Sequence, residues 1–411
     1  MMSQDNPIIL FLFAEGAVAS NYGIGTFCQQ LTECLEKCSD FHLTFVEFHC
    51  QEVKEYTVQA TDTFKNIKVP VIKHNGSDKS VKRYYANAWR LIRGEVPQNC
   101  KMVFHLNYYQ EYPLINIIKS DYPDCRFCFT IHYQLWAFSL KGNVSLFKKI
   151  LHKDESERVE REKTIVEEFM QDKKLFEAVD KVVCMSKFTE QLLLDEYDVP
   201  QDKLACIYNG LKDEYVPLSP SERTELRHKL FFDDNEKIIL FVGRLSPEKG
   251  VDYLIKAFRI VLEKIRSHLV IIGDGNISHY LKECSGIWRH ITLTGRLEKE
   301  QLYSFYQIAD VGVMPSFHEQ CSYVAMEMLM FNVPLIVSTS TGLNETLTDS
   351  LSKIPVKESD TDTSISAEEL STLILDKLKK APSEENRKIF LQKYNMAGMG
   401  RRYMECYRQI S

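Results

Sequence analysis

Apolar, β-rich runs recur along this chain at short intervals, and helical patterns separate many of them. In the first half they are PIILFLF, HLTFVEFH, KMVFHLNY, RFCFTIHY, KVVCMS and LACIYNG; in the second they are KIILFVG, HLVIIGDG, HITLTGRL, DVGVMPS and VPLIVSTS. The clearest helix follows LSPEKG, where Val251, Leu254, Ile255, Phe258, Val261, Leu262 and Ile265 keep the i, i+3, i+4, i+7 spacing. Strands that are apolar throughout, alternating with amphipathic helices, imply parallel sheets covered on both faces, an α/β architecture.

With 411 residues, two domains are the natural expectation. The rhythm breaks at KDEYVPLSPSERTELRHKL, which carries two prolines and few apolar residues and reads as a linker over 210–222. That leaves Rossmann-like domains over 1–209 and 223–390, with a closing helix over 391–411. A segment dense in both charge signs, near 143–178, reads as a solvated helical insert in the first domain, laced by i, i+4 pairs. Its NVSLFKKILHK stretch is also a short basic amphipathic patch that suits an acidic acceptor or a membrane surface, but the acids that follow weaken that reading. KESDTDTSISAEEL reads as a loop leading into the helix at LSTLILDKLKK.

A formal net charge of -6 argues against a dedicated nucleic-acid binder, which needs a basic excess. The 12 cysteines are scattered, and such a number of unpaired thiols suggests a reducing compartment. Cys125 and Cys128 form a lone Cys-x-x-Cys with no second pair, and on a strand they would point to opposite faces, so a metal site is not expected. The N-terminal apolar run is too short for a membrane span and lacks signal-peptide flanks. A cytoplasmic protein is expected, with peripheral contact at the inner face of the membrane as its variant.

Ligands of open α/β sheets sit beyond the carboxyl ends of the strands. After the first strand comes NYGIGTF, where Gly23 and Gly25 let backbone approach a phosphate at a helix N-terminus; the plain alternative is a tight turn. Glu47 and Glu52 fit poorly as the acid of a dinucleotide site. After FVG comes RLSPEKG, with Arg244 and Lys249 on either side of a turn that opens a helix. Two cations beside a helix N-terminus suit a diphosphate, against the alternative of a capped surface helix. His132 and His105 end strands. A core role is a fair rival for His105 and less attractive for His132, which YQLW follows. In PSFHEQCSYVAMEML, Glu319 lies just ahead of a helix beginning near Ser322, and Glu327 lies along it. Carboxylates accept hydrogen bonds from neutral hydroxyls, so two acids around an anion site describe a nucleotide sugar; by themselves they also fit an ordinary helix.

Together these pieces resemble retaining glycosyltransferases of the GT-B fold, most closely glycosyltransferase family 4. YGIGTF, FTIHY, CMSKFTEQLL, IYNGL, VGRLSPEKGVDYLIKAF, IIGDG, LTGRL, VMPSFHEQCSYVAMEML and STSTGLNETL follow one another in family order across residues 8–348. The resemblance implies two Rossmann-like domains facing a central cleft, an acceptor mainly on the first domain, and a last helix that crosses back to it. It implies that Arg244 and Lys249 bind the donor diphosphate, Glu319 the transferred sugar and Glu327 the ribose. Backbone N–H groups of Cys321, Ser322 and Tyr323 would meet sugar or phosphate, Arg296 and Leu297 would border the base, Gly23 and Gly25 would approach the phosphate, and His132 would bond the donor sugar or support the transition state. The reaction implied moves a hexose or N-acetylhexosamine from a nucleotide-diphosphate sugar, the co-substrate, to a glycan, lipid-linked, peptide or small-molecule acceptor. No Asp-x-Asp ends a strand, so the basic pair is expected to serve without a metal or other cofactor. Two departures stand out. Asn332 and Val333 precede a proline where the family has a glycine, and EQCSY replaces the commoner Glu-x-Phe-Gly. The rivals are a phosphorylase or epimerase of the same fold, a non-catalytic sugar-nucleotide-binding relative, and a Rossmann oxidoreductase.

Overall fold

In the computed structural model, which describes residues 7–16, 23–72, 77–97, 100–381 and 383–411, every one of those apolar runs is a strand. The first sheet holds β1 (Ile8–Glu15), β2 (Phe41–Cys50), β3 (Thr57–Ala60), β4 (Phe64–Pro70), β5 (Met102–Leu106), β6 (Arg126–Thr130), β7 (Lys181–Cys184) and β8 (Leu204–Cys206), in the order β3-β4-β2-β1-β5-β6-β7-β8. Among the described residues of this sheet only β3 and β4 pair antiparallel. The second sheet holds β9 (Lys237–Val242), β10 (Ser267–Ile272), β11 (Ile291–Gly295), β12 (Val311–Met314), β13 (Leu335–Ser338) and β14 (Lys353–Ile354), in the order β11-β10-β9-β12-β13-β14. Its pairs are all parallel. β1 and β9 are buried along almost their whole lengths, which is why each reads as an unbroken apolar run.

Each sheet reverses its strand order beside its first strand, between β1 and β5 and between β9 and β12. Crossovers leave such a strand in opposite directions, so the loops at its carboxyl end part and open a crevice. These two places are where ligand chemistry is to be sought.

Two compact units result: Met1–Gln134 with Val166–Lys212 and Met396–Ser411, and Leu135–Ile165 with Asp213–Asn395. The charged insert therefore differs from its expected place, since residues through Ile165 pack with the second unit and the division falls inside the helix Glu160–Ala178. The reason lies in the stretch that reads as a plain loop. It folds into an antiparallel pair, β15 (Lys357–Glu358) and β16 (Thr363–Ser364). Glu358 caps the N-terminus of the helix Val144–His152, accepting from Val144 N at 3.2 Å and Ser145 N at 3.0 Å. Asn143 Nδ2 donates to the Ser359 carbonyl at 2.7 Å, Lys141 pairs with Asp362 at 3.0 Å, and Lys149 pairs with Asp360. Lys149 and Lys153 of NVSLFKKILHK are thus engaged by acids of their own unit, the latter by Glu162 at 2.8 Å. The end of the linker runs into a helix, Pro220–Lys229, opened by a Ser219–Glu222 capping box.

In the second unit the stripe read from sequence, Val251 through Val261, packs on β9, β10 and β12 as one core with Leu370, Ile374 and Leu375 of the helix Ala367–Lys379. In the first unit the last helix, Met396–Ile410, lies on the helix Gly23–Leu35, with Gly400 tight against Cys34. None of the twelve cysteines forms a disulfide, and Cys125 and Cys128 are buried. Among the described residues no helix is long and apolar enough to cross a membrane.

Candidate active site

The loops after β9 and β12 are stitched together. Phe317 N donates to the Glu248 carbonyl at 2.8 Å. Gly250 takes a left-handed φ of 69° directly above Pro315, whose carbonyl oxygen a side chain at 250 would strike. The turn Pro247–Lys249 ends there, and the helix Val251–Leu262 begins. This places Lys249 Nζ 2.6 Å from Glu319 Oε1, with only 15% and 14% of the two side chains exposed. Glu319 is held from behind as well: its N–H donates to Thr341 Oγ1 at 3.0 Å, and its carbonyl accepts from Thr341 Oγ1 at 2.8 Å and Gly342 N at 2.9 Å. Arg244, on the same turn, is half exposed, lies 3.5 Å from Glu248 and sits over the Phe138 ring at 5.9 Å.

Ser322 caps the helix Tyr323–Met330, its hydroxyl accepting from Ala325 N at 3.3 Å, so Cys321, Ser322 and Tyr323 occupy the turn into that helix. Glu327 follows on it. Burial pushes its carboxyl up to about 7, and the Tyr306 hydroxyl donates to it at 2.7 Å. The helix ends with Asn332 at φ 55°, the left-handed conformation that Asn adopts most readily after glycine. Arg296 and Leu297 follow Gly295 at the carboxyl end of the edge strand β11, with Arg296 exposed.

The segment leading into the insert, which belongs to the same unit, forms part of these surroundings. Gly142, at φ 70°, lies against the Phe317 carbonyl, and Trp136 meets His318 edge-on at 5.9 Å. His318 is buried beside Lys249, and burial pushes its imidazole down to about 3. Neither of its ring nitrogens, nor Trp136 Nε1, has a hydrogen-bond partner among the described residues.

In the first unit Gly23 begins a helix, and Gly25 lines a cavity of about 540 Å³ together with Glu15, Glu33, Glu36 and Glu47. Such an acidic wall suits hydroxyls or cations better than phosphate. Asn21 and Tyr22 of the glycine loop lie outside the described residues. His132 follows β6, its Nε2 2.9 Å from Asn107 Oδ1, and burial pushes it down to about 3. His105 is a satisfied core histidine: Nδ1 meets the Tyr407 hydroxyl at 2.7 Å and Nε2 meets Thr130 Oγ1 at 2.8 Å.

Comparison with known proteins identifies the family. The profile of the glycosyl transferases group 1 matches residues 222–389, and that of glycosyltransferase family 4 matches residues 22–215. The chain belongs to the GT-B glycosyltransferases of the family 4 type. An uncharacterised glycosyltransferase of Methanocaldococcus jannaschii is 35% identical over 170 residues, 40% of this chain and 44% of that protein. The chain spans about half the length of the curated relatives it matches. Among solved structures, sucrose-phosphate synthase of Thermosynechococcus elongatus superposes with a TM-score of 0.74 at 18% identity, covering 98% of each chain. HepE of Anabaena in complex with UDP and glucose gives 0.69 at 14% identity, covering 98% of this chain and all of the other. At such identities the likeness is one of fold.

In this GT-B chain the second unit brings together Arg244, Lys249, Glu319, Cys321, Ser322, Tyr323 and Glu327 on the loops and helix after β9 and β12; Arg296 and Leu297 end a strand farther along the sheet. Gly23, Gly25 and His132 belong to the first unit. Sequence reasoning missed Thr341, Tyr306 and Asn107, each of which holds a site residue, and Glu111, whose buried carboxylate accepts from Asn107 N at 2.8 Å. Asn107 carried a signal, since it stands just past the strand end at VFHL.

Proposed function

We propose that the chain transfers a hexosyl or N-acetylhexosaminyl group from a nucleotide-diphosphate sugar to a hydroxyl of a glycan, lipid-linked, peptide or small-molecule acceptor, with retention at the anomeric carbon and without a metal ion. The observation that carries the reading is the Lys249–Glu319 contact at the strand-order reversal of the second sheet. A largely buried ammonium and carboxylate that neutralise each other in the free protein are prepared for a ligand with an anionic end and a hydroxylated end. When it binds, Lys249 turns to the phosphates and Glu319 takes a sugar hydroxyl.

The chemistry follows from charge. As the bond from the anomeric carbon to the diphosphate oxygen breaks, negative charge gathers on the phosphates, where Lys249 and Arg244 stabilise it. The acceptor oxygen attacks from the same face, and its proton passes to the departing phosphate oxygen, so no covalent nucleophile is required. Glu327 takes the ribose hydroxyls, Arg296 and Leu297 border the base, and the turn Cys321–Tyr323 offers backbone N–H groups. The matched profiles and the UDP- and glucose-bound HepE structure support a nucleotide-sugar donor.

A thermal-shift panel of UDP, GDP and ADP sugars, followed by mass spectrometry of products formed with crude acceptor extracts, tests the reading. Stabilisation by a nucleotide sugar and a product heavier by one sugar residue are expected. Stabilisation by NAD(H) alone would return the chain to the oxidoreductases, and binding without turnover would make it a sugar-nucleotide sensor.

A further inference from the structure

One side of the His132 ring is already committed. Its Nε2 lies 2.9 Å from Asn107 Oδ1. The Asn107 amide is not free to turn around, because Nδ2 donates to the Phe13 carbonyl at 2.8 Å, a bond that an amide oxygen in its place could not make. The oxygen that faces His132 only accepts, so Nε2 carries the hydrogen. Burial keeps the ring neutral, and a neutral imidazole has a single N–H. Nδ1 is therefore a bare lone pair. Asn107 is fixed in turn by Glu111, which is fully buried and whose Oε2 accepts from Asn107 N at 2.8 Å and Tyr108 N at 3.1 Å. The other groups around the ring leave this assignment intact. Phe27 packs edge-on at 4.7 Å, and the titratable neighbour His105 is itself held neutral by burial, with both nitrogens bonded.

We infer that Asn107, anchored by Glu111, is a positioning residue that fixes His132 as the Nε2–H tautomer, leaving Nδ1 to accept a hydrogen bond from a substrate hydroxyl. The inference rests on the proposed transfer and on the family resemblance's expectation that His132 meets its substrate, and it narrows what His132 does there. A ring in this state does not donate to the departing phosphate oxygen or protonate a leaving group. It orients a hydroxyl of the transferred sugar or of the acceptor, and it helps only substrates that carry one at that place.

The tautomer is read directly from long-range proton–nitrogen spectra of the whole chain labelled with ¹⁵N-histidine, the His132 signals being assigned by their loss in His132→Gln. At pH 7 a protonated Nε2 and a bare Nδ1 are expected. A protonated Nδ1, whether in the other tautomer or in an imidazolium, overturns the inference. Asn107→Asp keeps the acceptor and adds a negative charge, so the tautomer is retained while the His132 pKa rises, and turnover then falls as pH drops through the raised value. Asn107→Leu removes the acceptor. The tautomers mix, and kcat for UDP-glucose, or for whichever sugar of the panel is turned over, falls at least about tenfold while its KM stays within about twofold. An unchanged tautomer together with unchanged kcat in Asn107→Leu overturns the inference as surely. Should that variant fail to fold, the parent spectrum and Asn107→Asp decide. A kcat loss seen also in acceptor-free donor hydrolysis assigns the hydroxyl to the donor sugar; a loss in transfer alone assigns it to the acceptor. If no nucleotide sugar is bound at all, the functional reading fails while the spectra still report on Asn107.

Discussion

Lys249 and Glu319 stand 70 positions apart and meet at 2.6 Å on the two loops that flank the strand-order reversal of the second sheet. Each is the other's counter-ion in a place largely screened from water. Neither reads as special alone: a lysine in a turn and a glutamate before a helix are common. Together they form the junction where a pyrophosphate and the sugar attached to it are expected to meet.

Lys249→Ala should lower kcat/KM for the nucleotide sugar by about 100-fold or more, since charge on the departing diphosphate loses a preorganised cation. Steady-state kinetics checks this. Because each single change leaves the other charge largely buried and uncompensated, Lys249→Ala and Glu319→Ala should be non-additive in thermal stability, the double variant melting higher than the sum of the single losses.

Glu327 gives a pH dependence with a definite sign. A carboxylate accepts the ribose hydroxyls and a neutral carboxyl does so less well, so affinity for the nucleotide should rise with pH through about 7. Titration calorimetry between pH 6 and pH 8 checks this, and Glu327→Gln should flatten the curve. Stability runs the other way. The folded group holds its proton up to about 7 whereas the unfolded one releases it near 4.5, so its contribution is lost as pH rises through that window. Glu327→Gln should therefore gain in melting temperature relative to the parent as pH goes from 5 to 8.

His318 behaves oppositely. Its imidazole is kept neutral down to about 3, whereas an unfolded one takes up a proton near 6.5. Its contribution to stability is thus lost as pH falls below about 6.5. His318→Phe should remove that acid sensitivity. It should also leave the melting temperature at pH 7.5 unchanged or raised, because a buried ring without hydrogen-bond partners is replaced by an apolar one of similar shape. Denaturant titrations of both proteins at pH 5.5 and 7.5 test the pair of statements; a large loss at the higher pH would show that the imidazole is engaged.

Gly142→Ala should destabilise the second unit by about 1–3 kcal/mol, since the residue sits at φ 70° and the added methyl meets the Phe317 carbonyl. As that carbonyl lies two residues before Glu319, donor affinity should weaken alongside. Urea unfolding with and without UDP separates the two effects.

Much of this molecule was legible in its sequence, for physical reasons that also mark what was not. Strands buried on both faces announce themselves as apolar runs, as β1 and β9 do. β3, exposed at all four positions, and β4, which buries only Ile67 and Val69, sit toward the sheet edge and carry no such run. The acidic stretch near 358–362 looked like loop because its charges are satisfied by a partner far away in sequence, the insert, and such pairing leaves no local pattern. The same holds within the site. Arg244, Lys249, Glu319 and Glu327 stand in recognisable strings, whereas Thr341, Tyr306 and Asn107 matter through what they touch. His105 and His132 look alike at strand ends. Only the contacts separate a ring bonded on both sides from one with a nitrogen left over.

The most direct measurement compares dissociation constants for a nucleoside diphosphate and for its sugar conjugate, UDP and UDP-glucose or the corresponding pair that the parent binds, in the parent, Lys249→Ala and Glu319→Ala. Lys249→Ala should weaken both ligands alike, and Glu319→Ala should weaken only the sugar conjugate. Equal affinities in all three proteins would contradict the assignment of this pair to the donor.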